Sequence, residues 1–101
     1  MEHHVYFWLK EERANAEDCA TFEAGLEKLC TSPNISRAKW GKPAATEARP
    51  VTDHSWSYGI SLAFDSMEAH DRYQSDADEL HSEFVASYKD WWEKVLVMDL
   101  D

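Results

Sequence analysis

The stretch SWSYGISLAF, residues Ser55–Phe64, alternates bulky side chains (Trp56, Tyr58, Ile60, Leu62, Phe64) with small ones (Ser57, Gly59, Ser61, Ala63). A period of two is the signature of a β-strand, and here the two faces differ in chemistry. The bulky face suits burial beneath helices, whereas the small face lets a second sheet approach closely. One decapeptide therefore predicts a layer of helices on one side of a sheet and a sheet-to-sheet contact on the other.

Working outward, Ser66 starts a short helix running through Met67 and Tyr73, and Asp76 with Glu79 forms a capping box for a longer one. Leu80, Phe84, Tyr88, Trp91 and Val95 continue at steps of three and four, and Val95–Leu100 is a β-type run that supplies the closing strand. On the other side, 42–54 contains Pro43, Pro50 and many small or polar residues, the composition of a loop. Before it, Ile35–Gly41 is a short edge strand in which Arg37 and Lys39 discourage pairing with foreign strands. Asn15, with Asp18 three residues on, caps a helix carrying Cys19, Phe22, Leu26, Leu29 and Cys30 on one face; Pro33 ends it near Thr31. His3–Lys10 is the first strand, with His3, Val5, Phe7 and Leu9 on one face and His4, Tyr6, Trp8 and Lys10 on the other. With the two downstream helices counted as one, the order is βαββαβ, an α+β, ferredoxin-like arrangement around a four-stranded antiparallel sheet.

The 101 residues, 44% of them hydrophobic, are enough for one domain spanning 1–101 and too few for two. Pairing with a second copy through the open sheet face is an economical way for so small a domain to cover apolar surface. Twenty acidic residues against ten basic ones give a formal charge of -10, which repels nucleic acids and anionic membrane surfaces. No apolar run approaches the ~20 residues of a membrane span, and the N-terminal residues lack the basic start and cleavage site of a signal peptide, so a cytoplasmic protein is expected. Cys19 and Cys30 lie eleven residues apart on one helix, too far for a disulfide, and are expected as buried thiols. Metal and nucleotide signatures are missing from the sequence, so neither a metal nor a cofactor is predicted.

Several short segments, in order, resemble the stress-responsive dimeric α+β barrel (Dabb) family. They are the His-containing first strand, Trp40-Gly41-Lys42, the stretch Ser57–Ser66, His81 with Phe84, and Trp91–Leu100. The resemblance spans nearly the whole chain and implies a dimeric α/β barrel. The family includes stress-induced plant proteins and olivetolic acid cyclase. Likeness to that cyclase implies His81 as the catalytic histidine, Tyr73 as the catalytic tyrosine, Asp99 as the carboxylate that holds the histidine, and His3 as a pocket histidine. Tyr58 stands where the cyclase has a second pocket histidine. Tyr73 and His81 are eight residues apart, two more than in the cyclase, and no proline precedes His81 in the manner of its His-Pro.

These residue types suit proton abstraction beside a carbonyl group. A histidine held by a carboxylate is a general base near neutral pH, and a tyrosine hydroxyl can stabilise the oxygen that gains charge. Between helices and sheet, His3, Val5, Phe7, Phe22, Tyr58, Ile60, Phe84, Trp92 and Val97 are the expected lining of an aromatic small-molecule pocket. Three functions stand open. The first is a stress-responsive protein that binds a small aromatic or polyketide-like ligand without turnover. The second is a cofactor-independent cyclase or lyase using the His/Asp/Tyr set, and the third a haem- or quinol-directed monooxygenase-like barrel. His4, His54 and His70 are expected at solvated or interface positions, and the five tryptophans in packing.

Overall fold

The computed structural model describes residues 1–101. Four strands, β1 (Glu2–Leu9), β2 (Arg37–Gly41), β3 (Tyr58–Ala63) and β4 (Trp92–Leu100), form one antiparallel sheet in the order β2-β3-β1-β4. Three helices, α1 (Ala16–Leu29), α2 (Met67–Gln74) and α3 (Glu79–Tyr88), complete an α+β ferredoxin-like fold. Both central strands behave as their alternation requires. On β1, Val5, Phe7 and Leu9 are buried, and on β3 so are Tyr58, Ile60 and Leu62. Phe22, Leu26 and Leu29 of α1 and Phe84 of α3 close over that face. Phe22 is fully enclosed, its ring 5.4 Å from that of Phe7 and 5.7 Å from that of Phe84. Burying an aromatic of this size contributes about 1.5–3 kcal/mol.

The caps set where the helices begin. Asn15 accepts a hydrogen bond from the Asp18 amide to start α1, and Ser66 accepts one from Ala69 to start α2. For α3 the cap is Asp78, which accepts from the His81 amide, rather than the expected Asp76. The reason lies in the preceding turn. Ser75 donates to the Arg72 carbonyl and accepts from the Ala77 amide, which holds 75–77 as a connector and delays the helix.

Three further expectations change. The pattern carried helical spacing through Trp91 and Val95, but α3 ends at Tyr88, and Val95 pairs with Phe7 in β4. Cross-strand hydrogen bonding outweighs a local repeat there. Trp56 precedes β3 and turns to the open face, its ring 5.1 Å from that of Tyr6. There it roofs Gly59, where a β-carbon would stand 3.1 Å from Tyr6 and 3.3 Å from Trp56. Part of the small face of β3 is thus filled by the chain's own aromatics. The cysteines are free and half-buried rather than buried.

On β4 the open-face residues Leu96, Met98 and Leu100 are exposed, and so are Val95 and Val97 on the helix side. Packing of α1 against α3 needs a close approach at Gly25, where a β-carbon would meet the Tyr88 ring at 2.6 Å. No helix is long and apolar enough to cross a membrane.

Candidate functional site

Between the helix side of β1 and β4 and the two helices α2 and α3 lies a cavity of about 130 Å³. Its apolar wall comes from Val5, Phe7, Ile60, Phe84, Trp92 and Val97, all expected from sequence, together with Leu29, Val85 and Val95. The polar groups are His3 from β1, Tyr73 and Gln74 from the end of α2, and His81 from α3. Two expected lining residues stand elsewhere. Phe22 is packed within the core, and Tyr58 points its hydroxyl to Glu23, donating at 2.5 Å. Burial and the Glu23 carboxylate push the Tyr58 hydroxyl up, and the same bond holds the Glu23 carboxyl below the usual range. The pair ties β3 to α1.

His81 owes its place to Asp78. The buried Asp78 carboxylate accepts from Ser32 Oγ at 2.5 Å, Asn34 Nδ2 at 3.0 Å and the His81 backbone N–H at 3.0 Å. Burial works against its charge, but these three donors outweigh burial and keep its carboxyl below the ordinary value. The cap thereby fixes the first turn of α3 and aims His81 at the cavity. Its ring lies 4.4 Å from that of Tyr73. Between Tyr73 and His81 the chain leaves α2 at Gln74 and enters α3 at Glu79, so a connector, not a continuous helix, separates the two residues.

The carboxylate of Asp99 meets His3, not His81 as the resemblance implies: His3 Nδ1 and Asp99 Oδ1 are 2.5 Å apart. The sheet dictates this choice, because His3 and Asp99 are directly paired across β1 and β4 and their side chains leave the same face. Gln74 Nε2 lies 3.3 Å from the other ring nitrogen of His3. The amide is a donor, so His3 Nε2 accepts, and Nδ1 carries the proton given to Asp99.

Burial lowers the pKa of His3, and His70 and His4 lower it further; together they outweigh Asp99. Burial also lowers the pKa of His81, with His3 adding to it and Asp78 opposing. Both rings are therefore neutral at pH 7, each with a nitrogen able to accept a proton. Burial, with Asp78 and Cys30 behind it, raises the pKa of the Tyr73 hydroxyl and keeps it a donor.

His70, expected at a solvated or interface position, is largely enclosed instead. Its ring is 5.2 Å from that of His3 and 5.5 Å from that of Phe64. Sequence reasoning also missed Gln74, which the end of α2 presents one position after Tyr73. The helical spacing of α2, with Ala69 and Tyr73 on its buried side, is the signal that places His70 close to that face.

A four-stranded antiparallel sheet covered on one face by helices, with its elements in βαββαβ order, defines the ferredoxin-like class. The chain belongs to the Dabb family: the family model described as the stress responsive A/B barrel domain matches residues 1–101. An Arabidopsis thaliana protein of known structure shares 21% identity and superposes with a TM-score of 0.76, over 99% of this chain and 92% of that one. A dimeric ferredoxin-like protein of unknown function from Thermobifida fusca follows at 12% identity and TM-score 0.73, covering 96% and 85%. Hydroxynitrile lyase from Passiflora edulis is similar at 17% identity and TM-score 0.69, covering 96% and 87%. Among curated protein sequences none matches the chain.

Proposed function

We propose that this Dabb protein works as a homodimer in which each subunit binds a small carbonyl compound in the cavity beneath α2 and α3. The observation that carries this reading is the clustering of His3, Tyr73 and His81, with successive ring separations of 6.0 and 4.4 Å, in a cavity whose only other polar lining residue is Gln74. The volume narrows the ligand. At about 130 Å³ the cavity is well under the ~300–1,000 Å³ of sites for drug-sized molecules. A small aromatic ketone or aldehyde therefore suits it better than a long polyketide chain or a haem. The hydrocarbon part packs against Val5, Phe84 and Trp92, and the carbonyl oxygen accepts from the Tyr73 hydroxyl. His81, neutral and beside Tyr73, takes a proton from the carbon next to the carbonyl, and Tyr73 holds the resulting enolate oxygen. Lyase chemistry in a hydroxynitrile lyase of similar fold is consistent with such a site.

Dimerisation through the open sheet face is supported by the apolar strip of β4 and by the dimeric Thermobifida fusca neighbour. The test uses acetophenone in D₂O. Exchange of its methyl protons, followed by NMR, is accelerated by the protein and reduced at least about tenfold by His81→Ala, in line with loss of a general base. Shift changes at Tyr73 and Trp92 with no accelerated exchange leave a binding protein without this chemistry. The absence of both overturns the reading. Light scattering checks the dimer, whose mass is twice the 11.7 kDa of the chain.

A further inference from the structure

His70 Nε2 is a buried polar atom without a hydrogen-bond partner. Leaving such a group unsatisfied costs about 1–3 kcal/mol, so its environment calls for an explanation. The other ring nitrogen is occupied: His70 Nδ1 lies 3.1 Å from Asp71 Oδ1. That contact assigns the proton to Nδ1 and leaves Nε2 a lone pair. Only 14% of the His70 side chain is exposed.

A second observation points the same way. One donor atom each from His3, His70 and Asp99 all lie within 4.8 Å of one another. The three residues come from β1, α2 and β4, which is why no sequence spacing announced them. We infer that His3, His70 and Asp99 form a binding site for a divalent transition metal of the zinc class, with Asp71 supporting His70 from behind.

The donor chemistry selects the class. Two imidazoles and one carboxylate suit zinc and its first-row neighbours, whereas magnesium and calcium favour all-oxygen sets. Zinc bonds of ~2.0–2.2 Å require donors closer together than 4.8 Å, and the Asp99 carboxylate is free to adjust, being 46% exposed. That exposure also gives an entry path and leaves a fourth position for water, as in open zinc sites. A carboxylate on the far nitrogen of a ligating histidine is the usual means of fixing its ring. The ion takes the place of the His3 Nδ1 proton between His3 and Asp99; that proton moves to Nε2, where the Gln74 side chain turns its amide oxygen to accept it, so the ring stays a neutral ligand. Hydronium competes with the ion for the histidine nitrogens, so binding strengthens as pH rises. This inference does not rest on the small-molecule reading, because the ion lies behind His3 and uses no atom of His81 or Tyr73.

The test titrates chelator-treated protein with zinc chloride by calorimetry and with cobalt chloride by visible absorption. The expected result is one zinc per chain, tighter at pH 8 than at pH 6, with the intense visible bands of four-coordinate cobalt. His70→Ala and Asp99→Asn each weaken zinc binding more than about tenfold and Asp71→Asn by about tenfold, while His54→Ala, in the exposed loop, has no effect. Binding that survives both His70→Ala and Asp99→Asn unchanged, or no binding at millimolar zinc, overturns the proposal. Zinc-soaked crystals of the unaltered protein decide the matter if a variant does not fold. An anomalous peak among the three side chains supports the site, and its absence there refutes it.

Discussion

His3 and Asp99, separated by 96 positions in the chain, are cross-strand partners whose side chains meet at 2.5 Å on the helix side of the sheet. The bond joins an enclosed imidazole to a carboxylate that is 46% exposed, so solvent screens part of its strength. Asp99→Asn is expected to lower stability by only about 1 kcal/mol, because an amide can still accept from Nδ1. Urea denaturation at pH 7 measures the change, and a loss above about 3 kcal/mol contradicts this account.

Asp78 is expected to matter more. Its carboxylate caps α3 and is the acceptor for Ser32 and Asn34. Asp78→Ala removes the cap and orphans the buried Ser32 hydroxyl, at a cost of at least about 2 kcal/mol. His81 loses its fixed position as well, so any acetophenone exchange falls with it.

The same residue predicts acid sensitivity. The folded carboxyl titrates below its unfolded value of ~3.9, so its contribution is complete above that pH and is lost as pH falls through the folded value. Stability curves of the native protein and Asp78→Asn, measured between pH 6 and 2, should converge at the acid end.

His81 acts in a higher window. Its folded pKa is below the ~6.5 of the unfolded chain, so the unfolded state binds the extra proton first. Stability therefore falls as pH drops below about 6.5 and continues to fall until the folded pKa is passed. His3, also lowered by burial, contributes in the same window, so His81→Gln should lessen that slope without abolishing it; an unchanged slope in the variant assigns the effect to another group, His3 first.

Gly25→Ala tests the helix packing. Alanine gains about 1 kcal/mol in helix propensity, but its methyl meets the Tyr88 ring at 2.6 Å, and overpacking costs ~1–3 kcal/mol. Tyr88 cannot swing away freely, since its hydroxyl donates to the Thr21 carbonyl and its ring packs on Phe22 and Phe84. A net loss of about 1 kcal/mol is expected, and adding Tyr88→Leu should turn the alanine stabilising.

The fold was legible wherever one face of an element is buried. Alternation marked β1 and β3, and caps at Asn15 and Ser66 marked α1 and α2. The start of α3 was misjudged by two residues because Asp76 and Asp78 offer the same side chain, and only contacts with Ser32 and Asn34 distinguish them. The cavity wall was largely legible for the same reason as the strands. The bonding partner of Asp99 was not, since it depends on register: once Val5 pairs with Val97, His3 must face Asp99. Gln74 was missed, and His70 was expected at a solvated or interface position, because the spacing of Ala69 and Tyr73 on a short helix was outweighed by the polarity of the two side chains beside them.

The strip Leu96, Met98 and Leu100 on β4 meets an opposing influence in the chain's formal charge of -10. At low ionic strength, repulsion reaches tens of ångströms and keeps copies apart; at physiological salt it fades within about 8 Å, and contact between strips is no longer opposed at range. β4 is also an edge strand with one side unpaired, a template on which further chains can align. Buffer composition, as much as protein concentration, therefore governs whether copies stay separate, close into discrete pairs or stack into larger particles.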